Sequence, residues 1–369
     1  MAAELRRTPF HAFHRDRGGR LVPFAGWEMP VQFPGGVIHE HLLVRRAAGM
    51  FDVAHMGRFF LRGPGALAYA NRLITNNLEK LAPGQLLYSA LCHEQGGMID
   101  DLTVYRLDEG ALIVANAANA AKVSDWIAAH KPAGVEFEDA TERLAQIALQ
   151  GPRAEAVLRS PLADAVREVG YYRYTRLRWE GEELLISRNG YTGEDGFEIY
   201  VPAAAAPGLW ERLLEWGAAE GVEPIGLGAR DSLRMEVNYA LYGNELGPDI
   251  TPLEAGLRWV VKMKDHDFIG REALQRRQEA GLTRALVGFE VEGKRLPRHG
   301  HPILAGGREA GVVTSGGYCP SLDRGMGMGF VTPDLQEVGT AIEIDARGAR
   351  LAARVVERPF YKQGSVRRA

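Results

Sequence analysis

Gly96-Gly97-Met98-Ile99-Asp100-Asp101-Leu102-Thr103-Val104-Tyr105 is the stretch on which the reading of this chain turns. The glycine pair makes a turn, and the run of Ile, Leu, Thr, Val and Tyr after it has the composition of a strand. Side chains alternate along a strand, so Ile99, Asp101, Thr103 and Tyr105 share one face and Met98, Asp100, Leu102 and Val104 the other. Two adjacent carboxylates therefore point in opposite directions from an apolar segment. An isolated buried carboxylate costs on the order of several kcal/mol, so at least one of the pair needs a partner. Two readings compete at this point: Asp101, Thr103 and Tyr105 form the wall of a site, or the aspartates cap a turn at a wet strand end.

Working outward, residues 112–115 read as a further strand that runs into a helix from about Asn116, with Asn116 or Asn119 accepting backbone N–H bonds as its cap. Residues 145–149 read as strand and 152–159 as helix. Residues 183–187 and 197–201 form a hairpin-like pair around Gly190-Tyr191-Thr192-Gly193-Glu194-Asp195-Gly196. Helical periodicity returns in 209–219 and 229–241. After a break at 279–283 the chain is strand-like and punctuated by glycine as far as Val356, which suits a small all-β domain. A boundary near residue 280 divides the chain into 1–280 and 281–369.

The length of 369 residues exceeds what one core usually supports, and 46% hydrophobic with 25% charged residues is the balance of a globular protein. A net charge of −3 argues against a nucleic-acid footprint. No apolar run reaches the length that spans a bilayer, and the arginine-bearing N-terminus lacks the apolar segment of a signal peptide, so neither membrane nor export is expected. Cys92 and Cys319 stand far apart with no CxxC spacing, which points to a reducing, cytoplasmic setting. Cys92 reads as a packed thiol.

Several apparent motifs do not carry chemistry. His39-Glu40-His41 lacks the spacing that places two imidazoles on one helical face, and it reads as a solvated helix turn, so no metal is expected. Gly226-Leu227-Gly228 lacks the third glycine of a dinucleotide fingerprint, because Asp231 stands in its place. Gly325, Gly327 and Gly329 alternate, leaving one strand face bare for close backbone packing. Two other positions survive. In Gly196-Phe197-Glu198-Ile199-Tyr200-Val201, alternation sends Phe197, Ile199 and Val201 to one side and Glu198 and Tyr200 to the other. Either Glu198 faces a cleft, where it can grip an N–C–N edge such as the 2-amino-pyrimidinone of a pterin, or it lies on a solvated strand face. Arg230 sits near the start of a helix, where a cation is electrostatically misplaced, so it has either a ligand or an ion-pair partner. Tyr239 falls in the third turn of that helix.

Taken together, Phe24-Ala25-Gly26-Trp27-Glu28-Met29-Pro30, Gly49 to Val53 with His55-Met56-Gly57, Gly96 to Leu102, Gly190 to Gly196, Gly226 to Asp231 and the tail Pro359-Phe360-Tyr361 with Arg367-Arg368 resemble the T protein family of the glycine cleavage system, which are aminomethyltransferases. The resemblance covers nearly the whole chain in order and spacing. It implies an α+β fold of three domains in a cloverleaf around a central folate channel: two interleaved α+β domains and a C-terminal β-barrel. It also implies tetrahydrofolate as co-substrate, no metal, and the lipoylated H protein as partner, working with the P and L proteins. Residue by residue, Asp101 matches the family's essential aspartate, Glu198 and Tyr191 match its pterin pocket, and Arg230 and Arg368 match folate-contacting arginines. Tyr88, Tyr105, Asn116 and Tyr239 fall where the family lines its channel. Within the same superfamily the rivals are a folate-dependent demethylase, the folate domain of an amine oxidase, and a non-catalytic folate-binding module. The module's Lys-Gly-Cys-Tyr signature is absent, since residues 252–257 carry no cysteine. For the H protein, Arg271, Arg276, Arg277 and Arg284 offer either a basic docking face or an ordinary solvated one.

Overall fold

Three larger sheets meet around one cavity, with the two-stranded hairpin of Arg20–Phe24 and Trp27–Gln32 beside them, and how the chain is shared among them fixes where the site falls. The structure, a computed structural model, describes residues 4–366. The first sheet is antiparallel in the order Gln85–Cys92, Met98–Leu107, Gly110–Ala115, Gly57–Arg62, Glu136–Asp139. Helices Ala66–Leu73 and Ala120–His130 bury Leu73, Val123 and Ile127 with Val104 and Ile113 of its strands.

The second sheet runs Tyr174–Trp179, Glu182–Arg188, Gly196–Pro202, Leu144–Gln150, Gly49–Asp52, Glu223–Ile225. Its strand Gly49–Asp52 precedes the whole first sheet in the chain, yet it pairs antiparallel with Leu144–Gln150 and parallel with Glu223–Ile225. The two α+β units are therefore interleaved. Helix Ala206–Gly217 buries Leu209, Trp210 and Leu213 in the core shared with Ile147, Phe197 and Ile199.

The third is a closed barrel of Ala285–Val291, Arg324–Val331, Arg308–Cys319, Pro302–Ala305, Ala341–Ala346 and Ala349–Val356. The alternating glycines serve it by packing. A Cβ on Gly325, Gly327 or Gly329 would come within 2.6 Å of Val291 Cγ2, 2.5 Å of Phe289 Cζ and 2.5 Å of Ile303 Cδ1 respectively, so larger residues there would collide with side chains that fill the barrel.

Three local expectations need correction. The helix expected over 229–241 is Leu227–Glu236; Asn238 has a φ of +56° and turns the chain, so Tyr239 lies in the loop beyond. Residues 152–159 form only one helical turn, Ala154–Val157. His39-Glu40-His41 is not a solvated turn. Glu40 is buried and accepts from the backbone N–H of Phe33 at 2.6 Å and of Gly226 at 2.7 Å. His41 is buried among Ser232, Glu236 and Ser321, and only His39 reaches the surface, beside Glu223.

Beside His41, Arg45 donates to Glu236 at 2.9 Å and to Glu194 at 2.9 Å, both buried, and its guanidinium covers the Tyr361 ring. The far side of Glu194 accepts from Ser365 Oγ at 2.6 Å and from its backbone N–H at 2.8 Å. This network ties the C-terminal tail to the loop that carries Tyr191.

Candidate active site

The cavity between the three sheets has a volume of about 1640 Å³. Asp101, Thr103, Tyr88 and Asn116 reach it from the first sheet, Asn189, Tyr191 and Glu198 from the second, Arg230 and Tyr239 from helix Leu227–Glu236 and its exit, and Leu286, Val356 and Arg358 from the barrel side.

Strand Met98–Leu107 presents its two carboxylates oppositely, as alternation requires. Asp100 is fully buried and accepts from Asn116 N and Nδ2, each at 2.8 Å, and from Asn119 Nδ2. Asp101 is 9% exposed and faces the cavity, accepting from Tyr88 Oη at 3.0 Å and Asn116 Nδ2 at 2.8 Å. The pair does not cap a wet strand end. Nor do Asn116 and Asn119 cap the helix through their side chains; they donate to the aspartates instead, and Asn116 bridges both. Burial pushes the carboxyl of Asp101 up to about 6, and raises that of Asp100 further with help from the neighbouring charge of Asp101.

Glu198 is buried on the cavity wall. Its Oε2 accepts from Asn189 Nδ2 at 2.9 Å and from Tyr200 Oη at 3.3 Å, while Oε1 accepts no hydrogen bond from the described residues. Tyr105 departs from expectation: it does not line the cavity. Two places beyond Thr103, its strand is already covered by the second sheet, and its buried hydroxyl lies 2.9 Å from both Ser187 Oγ and Tyr200 Oη. Tyr105 thus steadies Tyr200, which in turn donates to Glu198.

The side chain of Arg230 makes no salt bridge and no hydrogen bond among the described residues. Its guanidinium faces the Tyr191 ring at 4.7 Å, and burial lowers its pKa. The next arginine one turn on, Arg234, contrasts with it, donating to Glu245 at 3.0 Å and Ser315 at 2.8 Å. Tyr191 donates to Ala240 O, and its ring lies 5.8 Å from that of Tyr239. Arg368 lies outside the described residues. Of the arginines considered for docking, Arg284 pairs with Glu254 and Arg271 donates to Met263 O, while Arg276 stands near Glu272 on an exposed helix. Among the described residues no cluster of His, Cys, Asp and Glu is placed to hold a metal ion.

Two residues went unnoticed in the sequence. Asn189 orients Glu198, and its signal was its place just before the glycine turn. Trp259 is 58% exposed at the cavity lip and stacks on Tyr88 with ring centroids 5.8 Å apart; nothing local distinguishes it from a core tryptophan.

The arrangement offers an ionisable carboxylate, a second carboxylate fit for an N–C–N edge, a cation lacking an acidic partner, and aromatic walls, in a space large enough for two extended ligands. Comparison with known proteins covers nearly the whole chain. Residues 10–265 match the GCVT N-terminal domain and 284–362 the glycine cleavage T-protein C-terminal barrel domain. The aminomethyltransferase of Desulfitobacterium hafniense is 46% identical over 362 residues, covering 98% of this chain and 99% of the relative. That of Rubrobacter xylanophilus is 47% identical over 361 residues, covering 97% and 95%. The crystal structure of the glycine cleavage system aminomethyltransferase T from Bartonella henselae superposes with a TM-score of 0.91 at 36% identity, covering 98% of this chain and all of that one.

Proposed function

Because the chain belongs to the glycine cleavage T-protein family and is an aminomethyltransferase, we propose that its cavity holds tetrahydrofolate and receives the aminomethyl-dihydrolipoyl arm of the H protein. The methylene carbon loses its bonds to nitrogen and sulfur and gains bonds to N5 and N10 of the folate. The two protons released from N5 and N10 end on the departing ammonia and on the dihydrolipoyl sulfur. Products are ammonia, reduced H protein and 5,10-methylenetetrahydrofolate, which places the protein with the P and L proteins in glycine catabolism.

Asp101 is the residue to which we assign the chemistry. Ionised above about pH 6, it orients the folate amines and stabilises positive charge that develops at the transferred carbon or at N5. Tyr88 and Asn116 hold it in place. Glu198 accepts from N3–H and the 2-amino group of the pterin. Arg230 supplies a cation to an acceptor on the folate, and Tyr191 and Tyr239 form the wall beside it. Tyr105 belongs to the support of Glu198 rather than to the contact surface. Arg368 remains a proposed folate contact, on the resemblance alone. The thiols of Cys92 and Cys319, free and buried, support a reducing compartment, the cytoplasm.

The observation that carries this reading is the pair Asp101 and Glu198, brought to one cavity from two different sheets, each held by hydrogen bonds from neighbouring side chains. The test is ammonia release from aminomethyl-loaded H protein, with and without tetrahydrofolate, by the wild-type protein and Asp101→Asn. Folate-dependent release that collapses in the variant supports it. No release by a folded, folate-binding protein overturns it in favour of a demethylase or a binding module.

A further inference from the structure

Two polar side chains on the cavity wall have no task in the reaction as described. His55 is 3% exposed and Gln146 1%, and both line the cavity. Neither side chain makes a hydrogen bond among the described residues, and His55 Nδ1 and Gln146 Oε1 are sealed from solvent without a partner. Buried polar atoms of this kind are rare in native proteins, because leaving them unmatched costs stability.

The fold brings the two together. Strand Gly49–Asp52 pairs with Leu144–Gln150, Asp52 lies opposite Ile147, and Val53 N donates to Gln146 O at 3.3 Å, so the chain leaving the strand carries His55 past Gln146. Gln146 pairs with Tyr200, and Ala148 pairs with Glu198. Paired residues in neighbouring strands project to the same face, which makes Gln146 a diagonal neighbour of Glu198. The imidazole of His55 meets the edge of Phe24 at 5.6 Å. Its charged neighbours are Asp52, Arg230 and Arg58; burial and the two arginines outweigh the carboxylate and hold its pKa down at about 4. A neutral imidazole offers one donor and one acceptor.

A tetrahydropterin gripped by Glu198 through N3–H and one amino hydrogen has three polar positions left on the adjoining edge: the second amino hydrogen, the acceptor N1 and the donor N8–H. The polar atoms of these side chains that are not sealed, Gln146 Nε2 and His55 Nε2, are the ones open to the cavity: the amide nitrogen can donate to N1, and the imidazole nitrogen can accept from N8–H. We infer that His55 and Gln146 form a second recognition edge of the pocket, holding the pterin along its 2-amino, N1 and N8 side. Both are positioning residues. This inference rests on the reading that the cavity takes tetrahydrofolate.

The experiment uses the full-length chain with His55→Phe, His55→Asn and Gln146→Met. Three quantities are measured: the dissociation constant for tetrahydrofolate, that for an 8-deaza analogue in which N8–H is replaced by CH2, and the melting temperature without ligand. His55→Phe and Gln146→Met are expected to bind tetrahydrofolate about tenfold more weakly and to raise its KM in step, with kcat within about threefold of wild type. Their ligand-free melting temperatures are expected to stay level or rise, because an unmatched buried polar atom has gone. His55→Asn recovers part of the affinity, and His55→Phe narrows the difference between tetrahydrofolate and the 8-deaza analogue. Unchanged folate affinity in both variants overturns the inference, as does a fall in melting temperature with affinity intact, which would make the two residues structural. A wild-type protein that fails to bind tetrahydrofolate overturns the substrate reading itself and this inference with it.

Discussion

Asparagine at position 101 is expected to stabilise the ligand-free protein while stopping its chemistry. The carboxyl of Asp101 is 9% exposed, and burial raises it from 3.8 to about 6 in spite of the hydrogen bonds from Tyr88 and Asn116. A carboxyl that holds its proton more tightly when folded than when unfolded weakens the fold once it ionises. The penalty is absent below the unfolded value of 3.8, where both states are protonated, grows as pH rises from 3.8 to about 6, and is complete above that. Holding the carboxyl at about 6 rather than 3.8 corresponds to ~3 kcal/mol. Asparagine matches the carboxylate in shape and never ionises, but it gives up one charge-assisted hydrogen bond, which offsets ~1 kcal/mol. The net gain is therefore ~1–3 kcal/mol, or a few degrees in melting temperature. Calorimetric melts of both proteins between pH 4 and pH 8 (roughly the span over which the carboxyl titrates) should show the gain at the alkaline end and its disappearance toward the acid end. A variant that melts below wild type at the alkaline end, or with the same gain at both ends, would refute the reasoning. Wild-type turnover should fall over the same interval, as the ionised form is lost.

Glu198→Gln presents an NH2 group where two acceptors are needed and should weaken tetrahydrofolate binding roughly 10- to 100-fold, with little change in melting temperature; titration calorimetry decides, and unchanged affinity sinks the assignment. Tyr105→Phe takes one hydrogen-bond partner from the hydroxyls of Ser187 and Tyr200 and should cost ~1 kcal/mol of stability, yet folate affinity should move by less than about threefold because the side chain does not reach the cavity. Arg45→Met leaves the buried carboxylates of Glu194 and Glu236 without their cation and should cost ~3–5 kcal/mol. Hydrogen exchange should then accelerate at Ser365 and Val366, whose backbone N–H groups bond Glu194 and Gly193.

What the sequence revealed depended on whether the cause was local. Alternation alone separated Asp101 from Asp100 and Glu198 from Phe197, because a strand's two faces are set by neighbouring residues. The same rule failed at Tyr105, since period fixes the face of a side chain and says nothing about which sheet arrives to cover it. Spacing sets His39-Glu40-His41 apart from the helical motif that puts two imidazoles on one face. It gives no hint that Glu40 bonds Gly226 across half of the chain, because the partner is distant in sequence and arrives only with the second sheet. The end of the helix at Asn238 turned on one residue taking a left-handed conformation, which asparagine tolerates but does not announce. As a helix cap, Asn116 or Asn119 would accept through its side chain; in the fold the Asn116 amide donates to two carboxylates that reach it from a neighbouring strand.

The placement of Gly49–Asp52 inside the second sheet has a consequence for how the chain reaches its native state. That strand leaves synthesis early, with both of its partners still to come and a complete five-stranded sheet to be made in between. It cannot be satisfied locally, so its edges stay open until Leu144–Gln150 and Glu223–Ile225 have emerged. Long-range pairing of this kind raises contact order and slows folding. Residues before and after the first sheet are bound into one cooperative unit, and a cut near residue 141 should yield two fragments in which the second sheet forms only when they are mixed.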